Sequence, residues 1–303
     1  MKKLLIVIGL VAFFMLGCQK EKESPVIIDT TSLQQLTSDD LKVDNAIDES
    51  MNDASEMIGT LKSTEILPCN ATLDSVKVFN DTNHYYITYN GLNCAGTKLR
   101  NGQIEIDKKV GTNWVEADAT IIVKHINFKV TKVSNGKWII INGKKSLKNV
   151  TGGLISQLGG SITSVVHKIE GNVEITFENN TTKNWNIRRL RTFTGDFNQH
   201  TLIMTVDGFG SADGYDNLVT WGQNRNGENF YTQILQSVVF RQICDWNPCQ
   251  GIRKYNIPSD QKSATITYGY DINNQPISGD ACPVKYKVDW VKGNKSGTFY
   301  LYL

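Results

Sequence analysis

The stretch Tyr85-Tyr86-Ile87-Thr88-Tyr89-Asn90-Gly91 indicates the fold class of this chain. Aromatic and β-branched side chains, which favour a pleated and half-buried strand, fill its first five positions. Asn90-Gly91 follows them, and this dipeptide is typical of the tight turns that join antiparallel strands. The stretch therefore predicts one strand and one turn of an antiparallel sheet.

The same pattern of a short strand and a polar turn recurs along most of the chain. The predicted strands lie at 76–79, 85–89, 103–106, 120–123, 138–141, 173–177, 202–206, 264–268 and 298–301, and the turns at 80–81, 90–91, 101–102, 135–136 and 142–143. No long helix alternates with these strands, which excludes a βαβ architecture. We predict an all-β fold of roughly fifteen or more antiparallel strands, arranged as meander sheets in a sandwich or as strongly curved sheets.

One helix is predicted ahead of the strands, over residues 39–65. Ser38 is a suitable N-terminal cap, and Asp39 and Asp40 place acidic groups in the first turn. Apolar side chains then recur mostly every three or four residues, at positions 41, 46, 47, 51, 54, 57, 58 and 61. We interpret this segment as a helix that packs on the β body, which spans residues 66–303, or as a spacer.

The first residues have the composition of an export signal. Lys2-Lys3 precedes an apolar run from Leu4 to Leu16, which spans only about 20 Å of a hydrocarbon core about 30 Å thick. This length favours a signal peptide at 1–17 over a transmembrane helix. The sequence Met15-Leu16-Gly17-Cys18 resembles a lipobox, in which the cysteine is acylated and anchors the chain in membrane lipid. An ordinary signal peptide, cleaved elsewhere, is the alternative.

Residues 18–38 are predicted to form a linker between the anchor and the helix. Gln19-Lys20-Glu21-Lys22-Glu23 resembles the surface-export signal of Bacteroidota lipoproteins, and the alternative is a solvated tether on the inner face of the outer membrane. Asp29-Thr30-Thr31 and Asp74-Ser75-Val76 resemble a Bacteroidota O-glycosylation motif, which makes Thr30 and Ser75 candidate acceptors. We expect a lipid-anchored outer-membrane protein that faces the cell exterior.

The charge balance argues against a nucleic-acid partner. The chain has 32 basic and 30 acidic residues, and loss of Lys2 and Lys3 with the signal peptide would leave 30 of each. A near-neutral surface lacks the basic footprint that a phosphate backbone requires. The hydrophobic fraction of 40% is sufficient for a sizeable core.

Five cysteines remain besides Cys18, and an oxidising compartment would allow them to form disulfide bonds. Cys69 and Cys94 flank a predicted strand and are expected to pair with each other. The bond would close a ring of some 26 residues and would stabilise the fold by roughly 3–4 kcal/mol through the entropy of the unfolded chain.

Cys282 is expected to pair with either Cys244 or Cys249. Residues 249–282 repeat the pattern of 69–94, in which a cysteine precedes a strand and a further cysteine follows it. This internal similarity favours Cys249 as the partner. It also allows a flexible sub-boundary near 151–160, where two glycine pairs occur.

A stretch rich in aspartate and glycine, residues 207–217, is the best candidate for a metal site. Asp207, Asp213 and Asp216 offer carboxylates on a glycine-bent loop, as a hard cation such as Ca²⁺ requires. The EF-hand spacing is not met, because Leu218 occupies the position where that motif needs a glutamate. The alternative is an ordinary hairpin loop that holds no cofactor.

Aromatic side chains offer a second kind of ligand contact. Trp114 and Trp246 lie in predicted turns, where an exposed indole ring could stack on a carbohydrate. The four histidines have no second histidine at metal-ligand spacing and are interpreted as structural or surface residues. Neither a Gly-x-Ser-x-Gly motif nor a phosphate-binding glycine loop occurs. No catalytic residue is predicted.

Several motifs together resemble a family of Bacteroidota surface lipoproteins. They are the lipobox, the acidic helix before the β body, and short matches at 87–91 with Cys94, at 96, at 100–104, at 226–227 with 231–232, and at 266–269 with Cys282. The resemblance implies an all-β lipoprotein and brings no activity or catalytic residue. Similar proteins carry one cysteine upstream of the final hairpin, which implies Cys244 as the partner of Cys282 and conflicts with the internal similarity.

The sequence leads to three hypotheses about function. The first is a non-enzymatic protein that captures a glycan or protein ligand or adheres to a surface. The second is a structural or assembly lipoprotein that pairs with an outer-membrane protein. The third is a carbohydrate-active enzyme, which requires two carboxylates about 5–10 Å apart in an aromatic-lined cleft. The anchor, the neutral β body and the lack of a catalytic motif favour the first.

Overall fold

A computed structural model describes residues 31–60 and 67–303 of the chain. The signal peptide, Cys18, Thr30 and most of the predicted linker lie outside these described residues. The elements are α1 (Thr31–Thr60), β1 (Ala71–Phe79), β2 (Thr82–Leu92), β3 (Lys98–Lys109), β4 (Ala119–Lys132), β5 (Trp138–Asn149), β6 (Val165–Phe177), β7 (Thr182–Thr194), β8 (Ile203–Gly208), β9 (Gly210–Ala212), β10 (Tyr215–Gln223), β11 (Asn229–Arg241), β12 (Asn247–Ile257), β13 (Lys262–Tyr270), β14 (Lys285–Lys292) and β15 (Lys295–Tyr302).

The strands form one antiparallel sheet. Its order is β1-β2-β3-β4-β5-β6-β7-β10-β11-β12-β13-β14-β15, while β8 pairs with both β7 and β11, and β9 pairs with β10. Nearly every strand therefore lies beside the strand that precedes it in the chain, as in a meander. The predicted all-β fold with one N-terminal helix is confirmed.

Helix α1 packs against one face of the sheet, called here the inner face. Val43, Ile47 and Met51 of α1 are completely buried. Polar contacts to the helix come from strands far apart in the sheet. Tyr89 on β2 donates a hydrogen bond to Asp53, and Lys262 on β13 donates one to the hydroxyl of a serine in the first turn. The sheet therefore curves around the helix, and the core lies between them.

The helix begins at Thr31, earlier than the sequence indicates. The predicted start was residue 39, with Ser38 as the cap, yet Ser38 lies inside the helix. Leu33 and Leu36, which precede it, are almost completely buried. Because burial of an amphipathic face stabilises a helix more than a capping residue does, packing on the sheet extends α1 through the predicted cap.

Three of the predicted Asn-Gly turns are instead bends inside strands. Residues 90–91, 101–102 and 142–143 lie within β2, β3 and β5. At Gly102, φ is 114° and an added Cβ atom would lie 2.3 Å from the carbonyl oxygen of Asn127; at Gly143, φ is 117° and the nearest atom would be 2.7 Å away. Only glycine fits such positions, and glycine bends within strands are a means of curving a sheet.

Residues 151–160 do not separate two domains, contrary to the sub-boundary that the glycine pairs suggested. Strands β5 and β6, on either side of this segment, pair continuously from Ile139 and Phe177 to Asn149 and His167. Residues 31–303 form one compact unit. In the described part of the chain, none of the helices is long and apolar enough to span a membrane.

Two disulfide bonds are present. Cys69 pairs with Cys94, as predicted. Cys282 pairs with Cys244, and Cys249 is a buried free thiol. The partner that the internal similarity favoured is therefore wrong, because Cys249 lies on β12 with its side chain in the core, whereas Cys244 closes the turn before that strand.

The acidic residues of α1 meet arginines of the inner face. Arg189 on β7 donates hydrogen bonds to Asp44 and Asp48. Arg253 on β12 donates to Asp44 and Asp40, each over 2.9 Å. These three aspartates are spaced one helical turn apart, so they lie along one side of the helix. We refer to these five residues as the inner charge network.

Asp40 is the most strongly perturbed carboxyl of this network. It is completely buried, and its Oδ2 accepts hydrogen bonds from Arg253 and from the hydroxyl of Tyr255. Its Oδ1 has no hydrogen-bond partner among the described residues. Burial, and then the charge of Asp44, raise the pKa of Asp40 to about 7. Both effects favour the neutral, protonated carboxyl.

Candidate functional site

Three connections leave the sheet at the same end and form what we call the loop platform, residues 195–202, 242–246 and 271–284. They follow β7, β11 and β13. These strands run in the same direction, because one antiparallel strand lies between each consecutive pair of them in the sheet. Loops on a rigid scaffold are the usual place for ligand contacts.

The first two loops are joined by backbone and amide contacts. The backbone N–H of Gln242 donates to the carbonyl oxygen of Leu202 over 2.8 Å. The N–H of Leu202 donates in return to the side-chain oxygen of Gln242 over 3.2 Å. This reciprocal pair holds residues 195–202 and 242–246 in one arrangement.

The second and third loops are joined covalently. The Cys244–Cys282 disulfide connects residues 242–246 to residues 271–284. Arg241, at the end of β11, adds a hydrogen bond over 2.9 Å to the carbonyl oxygen of Gly279. The three loops are therefore tied together, by hydrogen bonds between the first two and by a disulfide bond between the last two. This limits the conformational entropy that the loops would lose on binding a ligand.

Trp246 lies on a tight turn of the loop platform. Asp245 and Trp246 both have left-handed backbone conformations, with φ of 54° and 57°. The N–H of Trp246 donates to the carbonyl oxygen of Arg241 over 3.0 Å. Trp246 is 38% exposed, as its predicted position in a turn suggested. Other large apolar side chains of the loop platform are also exposed: Phe197, Ile243 and Ile272.

Trp114 does not fulfil the prediction made for it. It is only 2% exposed, and its indole N–H donates to the hydroxyl of Ser55 on α1 over 3.0 Å. Although Trp114 lies in the connection between β3 and β4, that connection folds back onto the helix. Trp114 is therefore part of the core, and it cannot stack on an external ligand.

The predicted calcium ligands are not brought together. Each carboxylate has a different partner: Asp207 accepts a hydrogen bond from Ser237 over 2.5 Å, Asp216 accepts one from Ser211 over 2.6 Å, and Asp213 accepts one from Tyr231. Within the described residues, these three aspartates do not form a group with metal-ligand spacing. The loop is an ordinary hairpin connection because β8, β9 and β10 hold the three positions apart.

The structure does not test whether the two candidate O-glycosylation sites are modified. Ser75 is half-buried on β1, opposite Tyr86 and next to an irregularity in the strand pairing. Its modification stays a prediction. Thr30 lies outside the described residues, as does Cys18.

A serine of α1, a histidine of β4 and a lysine of β5 form a hydrogen-bonded row between the helix and the sheet. Ser50 lies 2.8 Å from Nε2 of His125, and Nδ1 of His125 lies 3.2 Å from the amine of Lys145. Burial lowers the pKa of Lys145 to about 7 and lowers that of His125 well below its usual value. All three side chains are completely or almost completely buried. The row resembles a nucleophile relay in chemistry but offers no access to a substrate.

One cluster of polar residues was not predicted from the sequence. It lies on the face of the sheet opposite the inner face, which we call the outer face. His84 on β2 lies near Glu105 and Asp107 on β3, and we refer to these three residues as the outer-face cluster. They form the only group with metal-ligand spacing among the described residues. The alternation of Glu105 and Asp107 around buried Ile106 is visible in the sequence. Their pairing with His84 is not, because it depends on the register between β2 and β3.

In comparisons with family models, curated proteins and solved structures, none matches this chain. The geometry of the loop platform and of the outer-face cluster is therefore the basis for assigning a function.

Proposed function

We propose that this chain is a non-enzymatic, lipid-anchored protein of the outer membrane, which faces the cell exterior and captures a ligand or adheres through its loop platform. Acylated Cys18 would be the contact with membrane lipid. The observation that supports the proposal most directly is the exposed indole of Trp246, carried by a turn that the Cys244–Cys282 disulfide holds in place.

The chemistry of the loop platform suits a glycan or a protein surface. An indole ring provides a large apolar contact at a small cost in side-chain entropy. Cross-linked loops lose little further freedom when a ligand binds, so more of the contact energy appears as affinity. A nucleic-acid ligand is not proposed, since the acidic and basic residues nearly balance.

The first experiment asks where the protein is and whether Trp246 binds. Intact cells that express the full chain are treated with a membrane-impermeant amine label, and are then tested for binding to a panel of immobilised glycans and matrix proteins. We expect labelling without lysis. We also expect the Trp246→Ala variant to bind at least about tenfold more weakly, as loss of an aromatic hot spot does.

Val291→Ala is the control, because Val291 is 42% exposed on β14, at the end of that strand away from the loop platform. This variant should bind as the wild type does. Labelling only after lysis would contradict surface exposure. Equal binding by the Trp246→Ala variant and the wild type, or no binding to the panel, would contradict capture through the loop platform.

The alternative of a structural or assembly lipoprotein is favoured by the edge strand β1. Among the described strands, β1 pairs only with β2, and its Val76 and Val78 are exposed. A free apolar edge can accept a strand from a partner. A photocrosslinker at Val78 should then capture one outer-membrane protein, whereas a crosslinker at exposed Leu235, on central strand β11, should not.

A further inference from the structure

We infer that the outer face of β2 and β3 binds a divalent transition-metal ion such as Zn²⁺ through His84, Glu105 and Asp107, and that Lys124 is the resident cation that the metal displaces. This site is independent of the loop platform and of the function proposed above.

The strand register brings the three ligands together. His84 lies directly opposite Asp107 in the antiparallel pairing of β2 and β3. On β3, Ile104 and Ile106 are buried towards α1, so Glu105 and Asp107 project from the other face, two residues apart. Each of these two strands pairs with a neighbour on both sides, β2 with β1 and β3, and β3 with β2 and β4, which gives the group a rigid base.

The distances suit a shared cation. Nδ1 of His84 lies 2.7 Å from Oδ1 of Asp107 and 3.0 Å from Oε1 of Glu105. The three ligand atoms lie within 4.8 Å of one another. One ring nitrogen carries at most one hydrogen, so it cannot form a full hydrogen bond with both carboxylates. A metal ion bound by all three atoms would satisfy each of them at once.

The donor set indicates the class of metal. One imidazole nitrogen and two carboxylate oxygens are ligands that Zn²⁺ and similar first-row ions accept, with a fourth position left for water. The other ring nitrogen, Nε2, is buried and has no hydrogen-bond partner in the described part of the chain. Phe79 stacks on the imidazole with ring centres 3.7 Å apart. This stacking holds the ring with Nδ1 directed at the carboxylates.

Lys124 on β4 occupies part of the same site. Its amine lies 3.0 Å from Oε1 of Glu105 and 2.8 Å from Oδ2 of Asp107. Because the side chain is 33% exposed, the amine can turn into solvent without leaving a buried charge. A metal ion and the Lys124 ammonium therefore compete for the same carboxylates, and repulsion between them weakens metal binding in the wild type.

This competition gives the proposal its sharpest test. Zn²⁺ binding to the purified full chain is measured by calorimetry, and Co²⁺ is used as a coloured substitute whose visible absorption reports the ligands. We expect Lys124→Met to bind Zn²⁺ at least about tenfold more tightly than the wild type, because it removes the competing charge and keeps the apolar stem.

His84→Phe is the loss-of-site variant, since a second phenyl ring can keep the contact with Phe79. It should lose Zn²⁺ binding and the Co²⁺ absorption in the Lys124→Met background. Glu105→Gln provides the same test if His84→Phe does not fold, as judged by its circular dichroism. His200→Gln is the matched control, because His200 is an exposed histidine outside the cluster, and it should leave the affinity unchanged.

Two outcomes would contradict metal binding by the outer-face cluster. Lys124→Met that binds Zn²⁺ no more tightly than the wild type, or His84→Phe that retains full affinity, would overturn the proposal and leave the cluster as an ion-pair network. Trp246→Ala should bind Zn²⁺ as the wild type does. Failure of ligand capture and failure of metal binding can therefore be distinguished.

Discussion

The inner charge network and the outer-face cluster place similar charges in different surroundings. Asp44 meets Arg189 and Arg253, both 1% exposed, between α1 and the sheet. Asp107 meets His84 and Lys124 on the opposite face, where Lys124 is 33% exposed. The inner network joins the helix α1 to two strands, β7 and β12, whereas the outer one joins neighbouring strands that backbone hydrogen bonds already hold.

The difference shows how burial decides what an ion pair does. Away from water, charges interact strongly, but each has lost its hydration, so an unmatched partner is costly. Near the surface, water replaces a lost partner and the pair contributes little to stability. We conclude that the inner network specifies the position of α1, and that the cation exchange proposed above is easier in the outer-face cluster, where Lys124 can reach water.

The largest expected effect comes from breaking the inner network. Asp44→Ala leaves Arg189 and Arg253 each short of one carboxylate in the core, and we expect a loss of about 3–5 kcal/mol in the free energy of unfolding. Urea denaturation of the purified protein measures it. Asp107→Ala, in the outer-face cluster, is the comparison and should cost less, because Glu105 still pairs with both His84 and Lys124 over 3.0 Å. Equal losses would contradict the role assigned to burial.

A smaller effect is expected from the protonation of Asp40. Its pKa is raised from 3.8 to about 7 in the folded protein, so the folded state holds a proton that the unfolded state releases above about pH 4. The stabilising contribution of Asp40 is therefore complete at low pH and is lost as the pH rises towards 7. The charged groups around Asp40 are Asp44, Arg189 and Arg253.

Asp40→Asn tests this pH dependence, since asparagine cannot ionise. The difference in unfolding free energy between wild type and variant should fall by roughly 3–4 kcal/mol between pH 4 and pH 8, since each unit of the raised pKa corresponds to about 1.4 kcal/mol. Asp118→Asn is the control at a largely exposed aspartate, and its difference from the wild type should stay level. A level difference for Asp40→Asn as well would show that Asp40 is ionised in the folded protein.

The smallest effect is expected at Lys124. Without added metal, Lys124→Met removes the two partly exposed ion pairs of Lys124 with Glu105 and Asp107, and the unfolding free energy should change by no more than about 1 kcal/mol. Thermal denaturation in the presence of a chelator measures this. A loss of unfolding free energy as large as that of Asp44→Ala would show that the outer-face cluster is needed for the stability of the fold.

Local sequence patterns predicted the classes of secondary structure but not the position of every turn. The β-branched and aromatic segments do form strands, because each is long enough to show the alternation of a half-buried sheet. Asn101-Gly102 and Asn142-Gly143 have the composition of turns, yet both lie inside strands. The dipeptide encodes an unusual backbone conformation, and only the neighbouring strand decides whether that conformation reverses the chain or bends it.

The candidate sites were predictable only in part. Trp246 and Trp114 occur in similar turn-like stretches of sequence, but one is exposed and the other is packed on α1. The pairing of His84 with Asp107 requires the register of two strands. The resemblance to lipoproteins implied Cys244 as the partner of Cys282, whereas the internal similarity pointed to Cys249; the structure contains the Cys244 bond.

The sequence by itself determined the antiparallel class and the existence of one helix, since both follow from periodicity over a few residues. Only the tertiary structure decided that the acidic side of α1 would be buried. Asp44 lies 145 residues from Arg189 and 209 residues from Arg253 in the chain, so no local pattern relates them. They meet because the meander curves around the helix and brings β7 and β12 to the same carboxylate.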